Sequence, residues 1–404
     1  MALTPLSDAL ATVLAALPAK RDTEQVGLDD ALNRVLAVAI ISTLDVPAAD
    51  NSAMDGYALR ASDVPSALAV SQRIAAGQAP EPLAPGTAAR IFTGAIMPEG
   101  ADTVVMQEDA LERDGQVSIL GCITPGQHVR RRGADIAAGA EVMAAGKVLT
   151  PQDIGLLAAV GCASVTVYRR LRVAVLSTGD ELVTPGQGAR APWQVYNSNQ
   201  YQLSAQLRAL GLIPVVFDPL PDNPEIIGDA LEHATQTADV LLTTGGVSVG
   251  EEDHVRGQIE ARGELALWKL AIKPGKPLSF GHVGNTPIFG LPGNPVSAWV
   301  TFALVVKPWL LRAQGITPQP MHRITVRAGF EVNRAGTREE YLRVKLLSTN
   351  GYLRAELAGN QSSGVLSSVS AADAVAVIPV GRTVALEDEV EVLLMSELLT
   401  APYS

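Results

Sequence analysis

The chain has little of what holds a metal or staples a small fold. Of its 404 residues only two are cysteine, Cys122 and Cys162, and neither stands in a CxxC spacing. A thiolate metal cluster is excluded at that count. One disulfide or two free thiols remain, and two reduced, small, buried side chains in a cytoplasmic protein is the simpler reading. The five histidines, His128, His233, His254, His282 and His322, show no HExxH or paired spacing, and among them His254 stands beside Asp253. Aromatics make up 4% and charged residues 18% against 47% hydrophobic, the balance of a folded chain rather than a disordered one. No apolar stretch reaches the roughly 20 uncharged residues of a membrane span. The apolar N-terminal run Leu6, Leu10, Val13, Leu14 and Leu17 has helical spacing and is interrupted by Asp8, with Thr4 placed to cap it and Pro5 to open it. It reads as an amphipathic helix packed on a domain, not as a targeting signal. Neither a GxxxxGK[ST] phosphate loop nor a dinucleotide fingerprint after a strand occurs, which disfavours P-loop ATPases and nicotinamide dehydrogenases. A formal net charge of −11 and a pI near 5.0 argue against a nucleic-acid backbone or an anionic membrane as partner.

What is present is a set of polar turns on a multidomain frame. The length calls for two to four domains. Ala238-Asp239-Val240-Leu241-Leu242 reads as a buried strand running into Thr243-Thr244-Gly245-Gly246-Val247-Ser248-Val249-Gly250 and then Glu251, Glu252 and Asp253. Glycines there let the backbone approach a ligand, hydroxyls and N–H groups can face an anion, and the carboxylates can hold a divalent cation over a phosphate. Arg172 to Leu176 and Ser177-Thr178-Gly179-Asp180-Glu181-Leu182 repeat that chemistry, and Gly290-Leu291-Pro292-Gly293-Asn294-Pro295 forms a rigid turn before a helix. If 265–273 is one strand, period two puts Lys269 and Lys273 on a shared face. Lys276 follows, and the three ammonium groups suit an anionic small molecule as readily as a solvated surface; the triplet Arg130-Arg131-Arg132 carries the same two readings.

Strands alternating with helical patterns from about 170 to 317 predict parallel β/α units with helices on both faces, with ligands outside the carboxyl ends of the strands. Residues 42–139 read as a β-rich insertion, with short strands between Pro and Gly turns. The flanking 21–41 and 140–168 pair across it as a connecting domain, 1–20 with 169–317 form the α/β domain, and 318–404 alternate as a small β-barrel or sandwich.

Ser52-Ala53-Met54-Asp55-Gly56-Tyr57-Ala58, Phe92-Thr93-Gly94-Ala95, Gly100 to Met106, Arg132-Gly133-Ala134-Asp135-Ile136, the Ser177 to Leu182 turn, the Thr243 to Asp253 loop, Lys273-Pro274-Gly275-Lys276-Pro277 and the Gly290 to Pro295 turn stand in this order. In that order they resemble the molybdopterin molybdenumtransferases, the family of the gephyrin E domain, over essentially the whole chain. The resemblance implies an α/β multidomain protein with a molybdopterin-binding domain and a C-terminal β-barrel. It also implies insertion of molybdenum from molybdate into adenylylated molybdopterin with release of AMP. The sulfurs that bind molybdenum then belong to the substrate, so no Cys or His cluster is needed. By the same resemblance, Glu181 and Asp253 bind Mg²⁺, with Asp222 a further candidate. Lys269, Lys273 and Lys276 take phosphate or molybdate oxygens, while Ser248, Gly250 and the Gly245 and Gly246 amides cradle phosphate, beside Thr178, Gly179 and Asp180. Pro292 and Pro295 shape the molybdate pocket, Arg343 and Ser363 contact it from the last domain, and Asp55, Thr93 and Asp135 complete the site across a homodimer. Contact with the molybdopterin adenylyltransferase is the further partner implied. A scaffold without catalysis, and the sister adenylylating activity, are the alternatives; the sister domain lacks the insertion and the barrel.

Overall fold

The computed structural model describes residues 3–17, 21–246, 254–316, 320–349 and 351–400. Its centre is a seven-stranded sheet in the order Leu3–Thr4, Gly263–Leu270, Pro277–Val283, Thr286–Leu291, Val240–Thr244, Arg172–Ser177 and Ile213–Val216. The last four of these are mutually parallel. The β-branched and leucine-rich runs of the first three of these four are buried on both faces, as crossover helices require, while Ile213–Val216 is a partly exposed edge. Val173 and Val175 pack with Leu203 and Leu207 of the helix Ser198–Ala209 on one side. Ala174 and Leu176 pack with Ile227 and Leu231 of Pro224–Thr237 and with Val255 and Ile259 of His254–Arg262 on the other.

The parallel reading stops at Thr286–Leu291, since Pro277–Val283 pairs antiparallel with both Thr286–Leu291 and Gly263–Leu270. The cause is local: Gly284 at φ +57 and Asn285 make a two-residue turn, and a hairpin is the outcome such a turn selects. Gly263–Leu270 then ends in a kink. Ala271 N–H donates to the Thr4 carbonyl at 2.8 Å, and Ile272–Lys273 leaves for a different sheet, pairing with Glu339 and Glu340. Thr4 is likewise not a cap. It pairs with Leu270 in a short edge strand, Pro5 holds the cap position, and the helix begins at Leu6, burying Ala9 and Val13.

The helical stretch Pro295–Ala313 contains a π turn at Phe302–Val306. Pro308, one residue into the next segment, lacks the N–H that a regular helix needs there. By length and hydropathy this stretch could cross a membrane, but 89% of its apolar window is buried against the sheet and barrel. It is core.

Thr23–Gly27 pairs with Ser164–Tyr168, and Ile40–Ile41 with Glu141–Met143, around a small core of Leu36, Leu149, Leu157 and Val165. Between them a six-stranded sheet runs in the order Thr103–Met106, Gly56–Leu59, Thr87–Ile91, Leu68–Ile74, Gln116–Ile119 and Ala110–Arg113. In the C-terminal part, Glu339–Thr349, Tyr352–Leu357, Arg323–Ala328, Glu389–Leu394 and Ala374–Ile378 pair in turn. The last returns to the first, closing a five-stranded barrel. Both cysteines are free thiols, Cys122 exposed and Cys162 half-buried, so the buried placement read from the sequence does not hold.

Candidate active site

Three parallel strands end at one rim, and the turns that follow them line a cleft of about 940 Å³. Gly245 and Gly246 follow Val240–Thr244 at φ +85 and +62. No other residue fits Gly245, because a Cβ there would lie 2.7 Å from the Thr178 carbonyl oxygen. The Thr178 hydroxyl is buried behind this turn with no hydrogen-bond partner among the described residues, while Thr244 donates its hydroxyl to Ser177 at 3.1 Å. From the next strand comes Glu181, whose carboxylate folds back against Gly179. Pro292, Gly293, Asn294 and Pro295 form the third wall and lead into the helix Pro295–Thr301. The N-cap Asn197 of a second helix also lines the cleft, its side chain accepting from Gln200 N–H. Two helix N-termini thus face one space, which favours negative charge there.

The opposite wall is basic and comes from the segment between sheet and barrel. Lys273 and Lys276 are exposed on it, with Lys273 Nζ 3.1 Å from a Glu340 carboxylate oxygen. Arg338 joins them, donating to the Ile272 carbonyl at 3.1 Å. Gln361, Ser362, Ser363 and Gly364 of the barrel complete the roof, fixed by the Val296 N–H, which donates to the Ser363 carbonyl at 3.1 Å.

The structure thus gathers Glu181, Gly245, Gly246, Lys273, Lys276, Pro292, Pro295 and Ser363 around one space. Ser248, Gly250 and Asp253 lie outside the described residues. Asp180 and Asp222 knit two rim loops: the Asp222 N–H donates to Asp180 at 3.1 Å and the Asp180 N–H to Asp222 at 3.4 Å.

Two placements need correction. Lys269 is not beside Lys273 and does not line the cleft; it sits inside Gly263–Leu270 between Leu3 and Pro277. Period-two counting fails because the strand kinks after Leu270. Arg343 is fully buried and cannot touch a ligand in the cleft. Its guanidinium donates to the Ser368 hydroxyl, to the Tyr341 carbonyl at 3.2 Å and to the Ser362 carbonyl at 3.4 Å. Burial lowers its pKa. Arg343 therefore positions the 361–364 roof.

Asp55, Thr93 and Asp135 lie in the β-rich part, away from this chain's cleft. The Asp55 carboxylate accepts the Thr93 N–H at 2.7 Å and hydroxyl at 2.8 Å. Those two bonds, the backbone one first, hold its pKa below the usual carboxylate range, with the Arg90 charge adding to them. Asp135 is exposed. Of the arginine triplet, Arg131 pairs with Asp50 at 2.7 Å and Arg132 with Asp45 at 2.5 Å, so these two serve the loop itself. Arg338, Asn197 and Gln361 were not singled out by sequence. Asn197-Ser198-Asn199-Gln200 after Tyr196 was a legible helix start, whereas nothing local marks Arg338.

Residues 4–161 match the family described as MoeA N-terminal region (domain I and II), residues 174–312 the probable molybdopterin binding domain, and residues 325–395 the MoeA C-terminal region (domain IV). A molybdopterin molybdenumtransferase of Nostoc is 41% identical over 91% of this chain and 87% of its own length. One from Haemophilus influenzae is 43% identical over 77% and 78%. The crystal structure of the molybdopterin biosynthesis MoeA protein from Pyrococcus horikoshii superposes with a TM-score of 0.84 at 30% identity, covering 97% of this chain and 100% of that one. With the cleft, the insertion and the closed barrel all in place, the chain belongs to the molybdopterin molybdenumtransferase family, transferases of molybdenum cofactor biosynthesis.

Proposed function

We propose that this protein inserts molybdenum from molybdate into adenylylated molybdopterin and releases AMP, as a cytoplasmic homodimer. The observation that carries this reading is the cleft itself: a glycine turn and two helix N-termini face Lys273, Lys276 and Arg338 across about 940 Å³. No cysteine or histidine is among its described lining residues. Such a wall recognises oxyanions and leaves soft-metal ligation to the substrate's own sulfurs.

The Gly245 and Gly246 amides hold a phosphate, and Lys273 and Lys276 neutralise charge that develops on the pyrophosphate or molybdate oxygens. Pro292 and Pro295 keep the molybdate pocket rigid, and Ser363 closes it from the barrel. Among the described residues no group of three acids forms a ready-made cation cage. One carboxylate, Glu181, does line the cleft, and Mg²⁺ is commonly held by one or two carboxylates with substrate phosphates and water. Glu181 therefore fits Mg²⁺, with Asp253 as the second carboxylate. Bound there, the ion would supply charge neutralisation on the pyrophosphate. Asp55, Thr93 and Asp135 face the cleft of the other subunit, so each site is shared. The adenylyltransferase that makes the substrate is the partner expected to hand it over.

The test is genetic and direct. A strain lacking this gene loses molybdenum-dependent growth, and a plasmid copy restores it while a Lys273→Ala copy restores it poorly. Normal molybdoenzyme activity in the deletion strain, with no second copy of the family present, contradicts the proposal.

A further inference from the structure

In the β-rich sheet, Tyr57, Arg90 and Arg73 are direct cross-strand neighbours, Tyr57 opposite Arg90 and Arg90 opposite Arg73. Arg73 lies 4.7 Å and Arg90 4.9 Å from the ring centre of Phe92, and Arg90 is also 5.1 Å from that of Tyr57. The cluster adjoins the Asp55–Thr93 pair, since Phe92 precedes Thr93 and the Arg90 charge acts on Asp55.

The groups divide into occupied and free. Arg90 is spent, donating to the Gly56 carbonyl at 3.0 Å and to Gln107 at 2.5 Å. The nearby acids are engaged too: Asp55 accepts from Thr93, and Glu112 accepts the Tyr57 hydroxyl at 2.5 Å. The Arg73 side chain makes no hydrogen bond or ion pair among the described residues; its guanidinium lies over the Phe92 ring. A guanidinium resting on an aromatic ring keeps its planar fork of N–H groups in one orientation with the edge open. Cross-strand packing alone explains the stack but not why an acidic chain leaves this fork without an acid.

We propose that Arg73, held on Phe92 and flanked by Arg90, is a substrate-binding residue that takes a phosphoryl oxygen pair of the substrate seated in the other subunit's cleft. This rests on the shared-site reading above. A planar fork suits two oxygens of one phosphoryl group, and such charge-assisted pairs are the strong ones.

The experiment uses mixed dimers of one Asp55→Ala subunit and one Lys273→Ala subunit, purified by two affinity tags. Their one intact site joins the cleft of the Asp55→Ala chain to the β-rich face of the Lys273→Ala chain. Arg73→Ala placed on the Lys273→Ala chain should raise KM for the adenylylated substrate at least about tenfold, the loss of one charge-assisted contact, with the thermal midpoint unchanged. Placed on the Asp55→Ala chain, it should change nothing. Equal KM values for the two placements overturn the assignment to Arg73 while leaving shared sites standing. A mixed dimer with no activity even before Arg73 is altered overturns the shared-site reading and this assignment with it.

Discussion

Lys273 shows how much one residue's surroundings decide. Its ammonium group is exposed at the cleft wall, and Glu340 beside it holds the chain in place without burying the charge. Replacing it with alanine removes one charge-assisted contact to an oxyanion, about 1.5–3 kcal/mol, so half-maximal insertion should need roughly ten to a hundred times more molybdate. A titration of insertion against molybdate checks this; an unchanged midpoint reduces Lys273 to surface. Lys307 is the opposite case. It is buried in the long helical stretch, donates to the Glu397 carbonyl, and burial pushes its pKa from 10.5 down to about 8. Below about 8 both folded and unfolded chains carry this proton, and the cost of the buried charge is fully present. Between about 8 and 10.5 the unfolded chain binds more protons, so stability rises with pH through that window, by up to about 3 kcal/mol from this group. Urea unfolding of wild type and Lys307→Met across pH 7 to 10.5 reads the difference directly. A difference independent of pH would mean that Lys307 stays charged throughout.

At the scale of elements, the glycine turn after Val240–Thr244 is the most demanding piece. Gly245→Ala places a methyl group 2.7 Å from the Thr178 backbone oxygen at positive φ. The backbone cannot swing aside as a side chain would. The expected cost is about 1–3 kcal/mol in urea unfolding, together with weaker substrate binding; full stability and affinity would show that the turn has slack. This turn was legible in the sequence because its causes are local: a buried β-branched run, then glycine. The rim turns at Gly179 and Pro292 were legible for the same reason, and so was the alternation that became the closed barrel. The failures share the opposite property. Lys269 was misplaced because the kink at Ala271 is imposed by partners far away in sequence, Thr4 and Glu339. Arg343 looked like a ligand contact because an arginine in a strand gives no local sign that Tyr341, Ser362 and Ser368 will enclose it. Thr4 looked like a cap because the strand Gly263–Leu270 that recruits it lies some 260 residues on.

At the scale of the whole molecule, a sheet rim, a basic wall and a barrel roof meet in one cleft, and the Asp55–Thr93 pair stands apart on the β-rich sheet. That separation fits a dimer in which neither chain holds a whole site. Against the acidic balance of −11, Lys273, Lys276 and Arg338 gather positive charge at the cleft wall. The proposed reaction couples molybdenum insertion to cleavage of the adenylate at this cleft. Its most direct test is a single-turnover reaction of the purified protein with adenylylated molybdopterin, Mg²⁺ and molybdate, following AMP and pterin-bound molybdenum together. One AMP should be released per molybdenum bound, both abolished when the adenylylated substrate is replaced by molybdopterin. Molybdenum bound at full rate without AMP release, or AMP released with no molybdenum transferred while molybdate is saturating, would contradict it.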